Sequence, residues 1–409
     1  MPRNPFKPGA GHMPPYLAGR DEEKQEFVRS LKQDVILDNL VLTGLRGVGK
    51  TVLADTFKPL ALDNDWLWAS SDLSEAISVS EERLCVRIIT DLAVAISSIT
   101  VETAVEKIGF AASETQRATI SFEHLLHVYS ETPGLSADKL KAVLEYTWPF
   151  VQRSTFRGVV FAYDEAQNLG DNPANGAYPL SLLLDVFQSI QKKGMRFLLV
   201  LVGLPTLFPK LVEARTFSER MFHVVQLGKL KAEDAKDAIV RPIDDLRDEH
   251  PGDPPVRFTD DSIDLIVHTS GGYPYFIQFI CREVFDIFIL QQEKGDKISV
   301  PSTAIISKLD ADFFAGRWSR VTDRQRVLLW IVAHLNNCES DFTIQDIVQK
   351  SAEMNVKPFS NSHANQILTS LCKSGLIYKT PRHGKYQFAV PLLSEFIKRQ
   401  EQDIPAETS

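Results

Sequence analysis

Apolar residues in the first half of the chain fall into two recurring arrangements. Leu40-Val41-Leu42, Trp66-Leu67-Trp68-Ala69, Val159-Val160-Phe161-Ala162-Tyr163 and the stretch 197–202 are apolar at consecutive positions. A strand tolerates that only when both of its faces are covered. Between these runs, apolar residues recur three or four apart over 21–32 (Phe27, Leu31), 50–57, 81–97 and 181–190, the spacing of a helix with one buried face. Pro59 is expected to close the second of these helices. Strands alternating with helices of this length predict an α/β domain whose parallel sheet is covered on both sides. The stretch 99–150 interrupts the alternation. Leu125, Leu126 and Val128, then Leu140, Val143 and Leu144, predict a mostly helical insertion there.

From Ala232 the strand-like runs stop, and helical patterns follow over 234–240, 260–269 and 275–290. A third pattern begins near Thr322: helices over 324–335, 343–350 and 361–373, then two short strands, 375–379 and 385–388, around the turn Pro381-Arg382-His383-Gly384. Three helices followed by a hairpin make a winged helix. The expected organisation is an extended Pro/Gly-rich arm (1–20), the α/β domain (21–230), an α-helical domain (231–318), the winged helix (319–400) and a tail (401–409).

A chain of 409 residues is long for a single core, in keeping with several domains. Its 44% hydrophobic and 24% charged residues are those of a soluble globular protein. No apolar leader follows Met1, and the longest apolar stretch, 197–204, is too short to span a bilayer, so no membrane association is expected. The scattered cysteines (Cys85, Cys281, Cys338, Cys372) form no metal-ligand spacing and predict reduced thiols in the cytoplasm. His12, His124, His127, His223 and His250 likewise form no ligand set. The net charge of −8 argues against a protein that coats nucleic acid over its whole surface. That charge is uneven: residues 320–409 hold 11 Lys+Arg against 9 Asp+Glu. No acid lies between Glu353 and Glu395, a window containing Lys357, Lys373, Lys379, Arg382 and Lys385.

Four segments carry candidate chemistry. Gly44-Leu45-Arg46-Gly47-Val48-Gly49-Lys50-Thr51 matches G-x-x-x-x-G-K-[ST] in full, after a strand and before a helix. In that context the backbone N–H groups and the helix N-terminus cradle phosphate, Lys50 reaches the β- and γ-phosphates of ATP, and Thr51 ligates Mg²⁺. Asp164 and Glu165 end the 159–163 strand, where an acid pair would hold Mg²⁺ (Asp164) and activate water (Glu165). The same pattern also describes a strand end that simply meets solvent. Arg215 and Arg220 follow the strand end at Gly203-Leu204-Pro205; either one could reach the γ-phosphate of a neighbouring copy, or pair with a local acid. Gly271-Gly272-Tyr273-Pro274 is either a turn near the nucleotide, with Pro274 in contact, or a plain helix–helix turn. In the winged helix, Ser362, His363, Asn365 and Gln366 line one side of the third helix and suit base edges, while Lys379, Arg382 and Lys385 suit phosphate. The same module also docks proteins.

Gly19-Arg20 with Glu22, the phosphate loop, Phe161-Ala162-Tyr163-Asp164-Glu165, Ser218-Glu219-Arg220, the Gly-Gly-Tyr-Pro turn and the closing winged helix follow one another in order. Over roughly residues 15–398 this set resembles the AAA+/STAND ATPases, in particular the bacterial and archaeal ones akin to origin-recognition helicase loaders. The resemblance implies a P-loop NTPase sheet with a helical lid and a C-terminal winged helix. It places Arg20 and its surroundings against the adenine, and Arg220 near the family's arginine finger. It also implies ATP and Mg²⁺ as cofactors, homo-oligomers when ATP is bound, and roles of the kind seen in replication, transposition or defence. Two departures stand out. Gly203-Leu204-Pro205 occupies the place of a polar sensor, with Thr206 the nearest substitute, and Pro274 has no adjacent arginine. Both suit a slow switch. The expected function is a slowly hydrolysing ATPase whose winged helix binds DNA; the alternative is a signalling or scaffold switch whose winged helix docks a protein partner.

Overall fold

The computed structural model describes residues 3–9, 11–105, 114–252, 256–295, 300–354, 356–380, 382–400 and 402. Pro381 of the expected wing turn, the middle of the 99–150 insertion and the tail apart from residue 402 lie outside them. The chain divides into two compact units: 21–43 with 53–226, and 1–20 with 44–52 and 227–409.

The first unit is built on a five-stranded sheet. Its strands are β1 (Asn39–Gly44), β2 (Trp66–Asp72), β5 (Gly158–Asp164), β6 (Phe197–Gly203) and β7 (Phe222–Leu227), in the order β2-β5-β6-β1-β7. The pairings of β2 with β5, β5 with β6 and β6 with β1 are parallel, so Asp72, Asp164, Gly203 and Thr43 all lie at one edge of the sheet. β6 is buried along its whole length, as its unbroken apolar run requires. Phe161 packs edge-on to Phe187 and Phe197 between sheet and helix. The Phe222–Leu227 strand, with His223 and Gln226 interrupting its apolar residues, carries too weak a run to be evident beforehand.

Two expectations for this unit are corrected. The helix after the phosphate loop runs from Lys50 to Asp63, straight through Pro59. Leu53, Phe57 and Ala61 are all fully buried on one face, and Phe57 stacks on Phe27 at 4.3 Å. Burying both sides of the proline outweighs the one backbone hydrogen bond it removes. The 99–150 insertion is helical only from Phe122–Glu131 onward; it opens with β3 (Thr100–Val105) paired antiparallel to β4 (Glu114–Thr119). Thr100, Val101, Thr103, Val105, Thr115 and Thr119 are β-branched, which favours strand over helix.

The second unit contains the helices Ala232–Glu249, Asp260–Ser270 and Pro274–Lys294, then Asp323–Ala333, Ile344–Glu353 and Asn361–Lys373. The last three combine with β8 (Phe342–Thr343), β9 (Ile377–Lys379) and β10 (Lys385–Phe388) in the element order of a winged helix, with sheet order β8-β10-β9. Between the two helical groups, Phe276, Phe314, Trp318 and Phe396 form one run of stacked and edge-on rings, so the core is continuous across residue 319. The described residues of the N-terminal arm form no helix or strand and are anchored. Phe6 is 2% exposed among Phe258 and Phe285, and Asn4 donates to the Arg282 carbonyl at 2.9 Å and to Asp286 at 2.7 Å.

Candidate functional site

The phosphate loop is held in shape by backbone conformation. Gly47 (φ 80°) and Gly49 (φ 89°) both lie in the left-handed region that side chains avoid, which is why this loop needs glycine at those two places. The Lys50 ammonium folds across the loop and donates to the carbonyls of Gly44 (3.0 Å) and Leu45 (2.9 Å). Lys50 and Thr51 form the first turn of the Lys50–Asp63 helix, whose positive end faces the loop. Two further segments brace it. Arg20, 5% exposed, donates to the carbonyls of Val48 (3.1 Å) and Gly228 (2.9 Å). The Tyr275 N–H, in the first turn of the helix opened by Pro274, donates to the Gly47 carbonyl at 3.1 Å. Arg20 therefore supports the loop from beneath, and Pro274 sits one residue from a direct contact with it. A left-handed glycine loop, a helix N-terminus and an ammonium spanning them form the donor set that a polyphosphate takes.

The acid pair belongs to the other unit. Asp164 closes β5, and Glu165 turns the chain sharply with a left-handed backbone (φ 52°), its N–H donating to Asp164 Oδ1 at 2.6 Å. Asp55, Asp72 and Asp164 concentrate negative charge at this edge: burial, then Asp164 and Asp72, raise the Asp55 carboxyl above its ordinary value. A divalent cation relieves charge of that kind. No cluster of three or more His, Cys, Asp or Glu side chains arranged as a metal cage occurs among the described residues.

Gln167 is a participant the sequence did not single out. Its amide donates to the Glu165 carboxylate, while its Oε1 accepts the Leu204 N–H at 3.0 Å, just past the end of β6. Lys210 donates to the Gln167 carbonyl at 2.7 Å, and burial lowers the Lys210 pKa. Gln167 thus ties the Glu165 side chain to the chain just past the end of β6. The only local cue is a glutamine two residues beyond the acid pair.

The two arginines separate cleanly. Arg215 is engaged within its own unit, donating twice to Asp185 (2.8 and 2.6 Å) and once to Ser181 Oγ (2.7 Å); the bond to Asp185 raises its pKa. Arg220, in the short Ser218–Met221 helix, is exposed.

Ser362, His363, Asn365 and Gln366 all lie exposed on the Asn361–Lys373 helix, and Asn365 accepts the Tyr386 hydroxyl at 3.3 Å. Lys379 is exposed as well. The wing is less basic in space than along the chain. Asp341, outside the acid-free window, receives Arg382 at 3.2 Å and Gln387 Nε2 at 2.7 Å, with the Lys385 ammonium at 3.9 Å.

A family model described as a domain of unknown function (DUF8462) matches residues 311–397. No curated protein matches the chain. Among solved structures, the ADPNP–ADP complexes of the Aeropyrum pernix ORC2 protein share 16% identity over 97% of each chain, with a TM-score of 0.53. The ADP form of the same protein shares 15% identity over 98% of this chain and 99% of that one, with a TM-score of 0.55. At these identities the likeness is one of fold: the chain shares the α/β fold of the Aeropyrum pernix ORC2 protein.

Proposed function

We propose that this chain is an ATP-binding molecular switch that hydrolyses ATP slowly, uses Mg²⁺ and contacts DNA through its winged helix. The observation that carries the reading is the phosphate loop, with Gly47 and Gly49 left-handed and Lys50 folded across it. The Aeropyrum pernix ORC2 protein, solved with ADPNP and ADP, supports an adenine nucleotide as the ligand. In this reading Gly44 to Thr51 bind the phosphates, and Thr51 and Asp164 carry the oxygen donors for Mg²⁺. Mg²⁺, when bound, neutralises charge on the phosphoryl group being transferred. Glu165 takes a proton from the water that attacks the terminal phosphorus, and the bond to the ADP oxygen breaks. Slow turnover is supported by the two departures from the family pattern, Gly203-Leu204-Pro205 in the place of a polar sensor and Pro274 without an adjacent arginine. Arg220 is the arginine that would serve a neighbouring copy in an ATP-bound oligomer, because Arg215 is committed to Asp185.

Helix residues 362–366 and the basic wing support DNA as partner, with a cytoplasmic setting in keeping with four free cysteines. One observation favours a protein partner for the winged helix instead: Asp341 partly neutralises the wing. Titration of fluorescent duplex DNA by the ATP-loaded protein across a salt series decides between them. DNA contact predicts affinity that falls steeply and log-linearly with salt. No binding at low salt removes the DNA reading and leaves the protein-docking one.

A further inference from the structure

The N-terminal arm and the helix Pro274–Lys294 belong to the same unit and enclose a cavity of about 490 Å³. Arg3, Lys7 and His12 line it from the arm, Arg282 and Asp286 from the helix. The arm is held in place by its other side chains. Phe6 is buried, Asn4 donates to the helix at the Arg282 carbonyl and at Asp286, and the Lys7 N–H donates to Gln278 Oε1 at 3.3 Å. Beyond Pro8 the chain turns. The Gly9 N–H donates to the Lys7 carbonyl at 2.9 Å, and the His12 imidazole folds back over Gly9, where a Cβ would stand 1.9 Å from the ring. Arg3, Lys7, His12 and Arg282 are all left exposed.

The charge in this cavity runs against that of the chain. Three permanent cations, Arg3, Lys7 and Arg282, face one carboxylate, Asp286, which already accepts the Asn4 amide at 2.7 Å. None of the three forms an ion pair with a carboxylate among the described residues, whereas Arg382 and Lys385 of the wing both converge on Asp341. Cations gathered in one concavity add their fields, and a bound anion relieves their mutual repulsion. The class of anion follows from the shape. A site for a small metabolite buries most of its ligand. Here the cations are exposed at the mouth of an open cavity, which suits an extended polyanion with charges spaced along it. Arginine and lysine neutralise phosphates of such a chain and release its counterions.

We propose that the cavity between arm and helix is a contact for the phosphodiester backbone of a nucleic acid, with Arg3, Lys7 and Arg282 each meeting a phosphate. The inference rests on the reading of the protein as DNA-binding and adds a contact on elements outside the winged helix. Phosphate contacts of this kind position the strand without reading its sequence.

The test is fluorescence titration of the full chain with duplex and single-stranded oligonucleotides across a salt series. A Cβ at Gly11 would stand 3.5 Å from the Thr51 methyl, so the arm runs up to the phosphate loop. All titrations therefore include a saturating non-hydrolysable ATP analogue, which keeps the loop from taking oligonucleotide phosphate. The triple variant Arg3→Gln, Lys7→Gln, Arg282→Gln leaves Asn4 and Phe6 in place to dock the arm. It is expected to lower the slope of log affinity against log salt by about three units, one for each lost contact, and to weaken binding at low salt by at least about tenfold. A charge-matched control, Arg153→Gln, Lys192→Gln, Arg257→Gln, removes three exposed cations elsewhere and should leave the slope unchanged. An unchanged slope in the arm variant, or an equal loss in the control, overturns the inference. So does displacement of the oligonucleotide by inorganic tripolyphosphate at the same phosphate concentration as by unlabelled oligonucleotide, which would make the cavity a small-anion site. A slope that responds to reversal of Arg382 and Lys385 but not to the arm variant overturns the inference and leaves the winged-helix reading intact. A wild-type protein that binds no nucleic acid at low salt overturns the DNA reading itself.

Discussion

The phosphate loop and the wing are both places where this acidic protein gathers positive charge, and they are built in opposite ways. In the loop the shape comes from backbone: two left-handed glycines, a helix N-terminus, and carbonyls at 3.0 and 2.9 Å that receive the Lys50 ammonium. Those acceptors are backbone groups fixed by the loop's own conformation. In the wing, Arg382 and Lys385 converge on the single carboxylate of Asp341, which is itself only 13% exposed. An exposed cation so paired keeps only part of its field. Charge set on a backbone frame makes a strong, local anion site; charge set on mobile side chains makes a weak and adjustable one. Variants of the nucleotide machinery should therefore have large effects and variants of the wing small ones.

The largest effect is expected at Glu165. Glu165→Gln can still accept the Gln167 amide, so nucleotide binding should persist while turnover falls about a hundredfold to ten-thousandfold, measured as phosphate release. Loss of binding along with turnover would make Glu165 structural instead. Arg220→Ala should lower turnover of the assembled protein about a thousandfold and leave nucleotide affinity alone. Mixing it with Glu165→Gln protein is the sharper measurement. A finger acting between copies creates sites with Glu165 and a neighbour's Arg220 both intact, so activity returns; no recovery at any ratio rules that geometry out. Lys50→Ala should weaken ATP binding about a hundredfold by calorimetry. Unaltered affinity there would mean that the loop is no cradle, and the contrast with the wing would vanish.

The same contrast explains how much was legible beforehand. The α/β alternation could be read from β1, β5 and β6 because strands buried on both faces leave unbroken apolar runs, and the loop could be read because φ values near +80° restrict its positions to glycine. The winged helix emerged from the spacing of three short helices and two strands. What stayed hidden depends on partners far apart in sequence. Arg317 sits over the Phe313 ring, which in turn packs against Tyr275, and Asp341 reaches the wing across about forty residues. Gln167 was close by, but its role depends on the Leu204 N–H at the end of another strand. Pro59 misled for a related reason: local rules end a helix there, and the burial of Phe57 and Ala61 on one face carries it through.

The wing tests the weaker side of the contrast. Reversing Arg382 and Lys385 to Glu should flatten the salt dependence of DNA binding by about two units or slightly more, since each lost phosphate contact lowers the slope by about one. ATP hydrolysis without DNA should be unaffected. A slope unchanged by the double reversal would place the phosphate contacts elsewhere on the protein.

Asp341→Asn should have the smallest effect, and it isolates the difference between the two regions. Asparagine is nearly isosteric with aspartate and can still accept the Gln387 amide, which donates at 2.7 Å, so the hairpin should keep its shape. What disappears is the negative charge between Arg382 and Lys385. With Arg382 75% exposed, that pairing is solvent-screened, and thermal unfolding should shift by no more than about 1 kcal/mol of stability. DNA affinity at low salt should rise a few-fold, because two cations regain the field that Asp341 had absorbed, and the gain should fade as salt is raised. If affinity rises as expected, Asp341 is a restraint that keeps the wing from holding nucleic acid tightly. If it falls instead, the carboxylate is orienting Arg382 toward its target rather than competing for it, and the wing, like the loop, is a preorganised site.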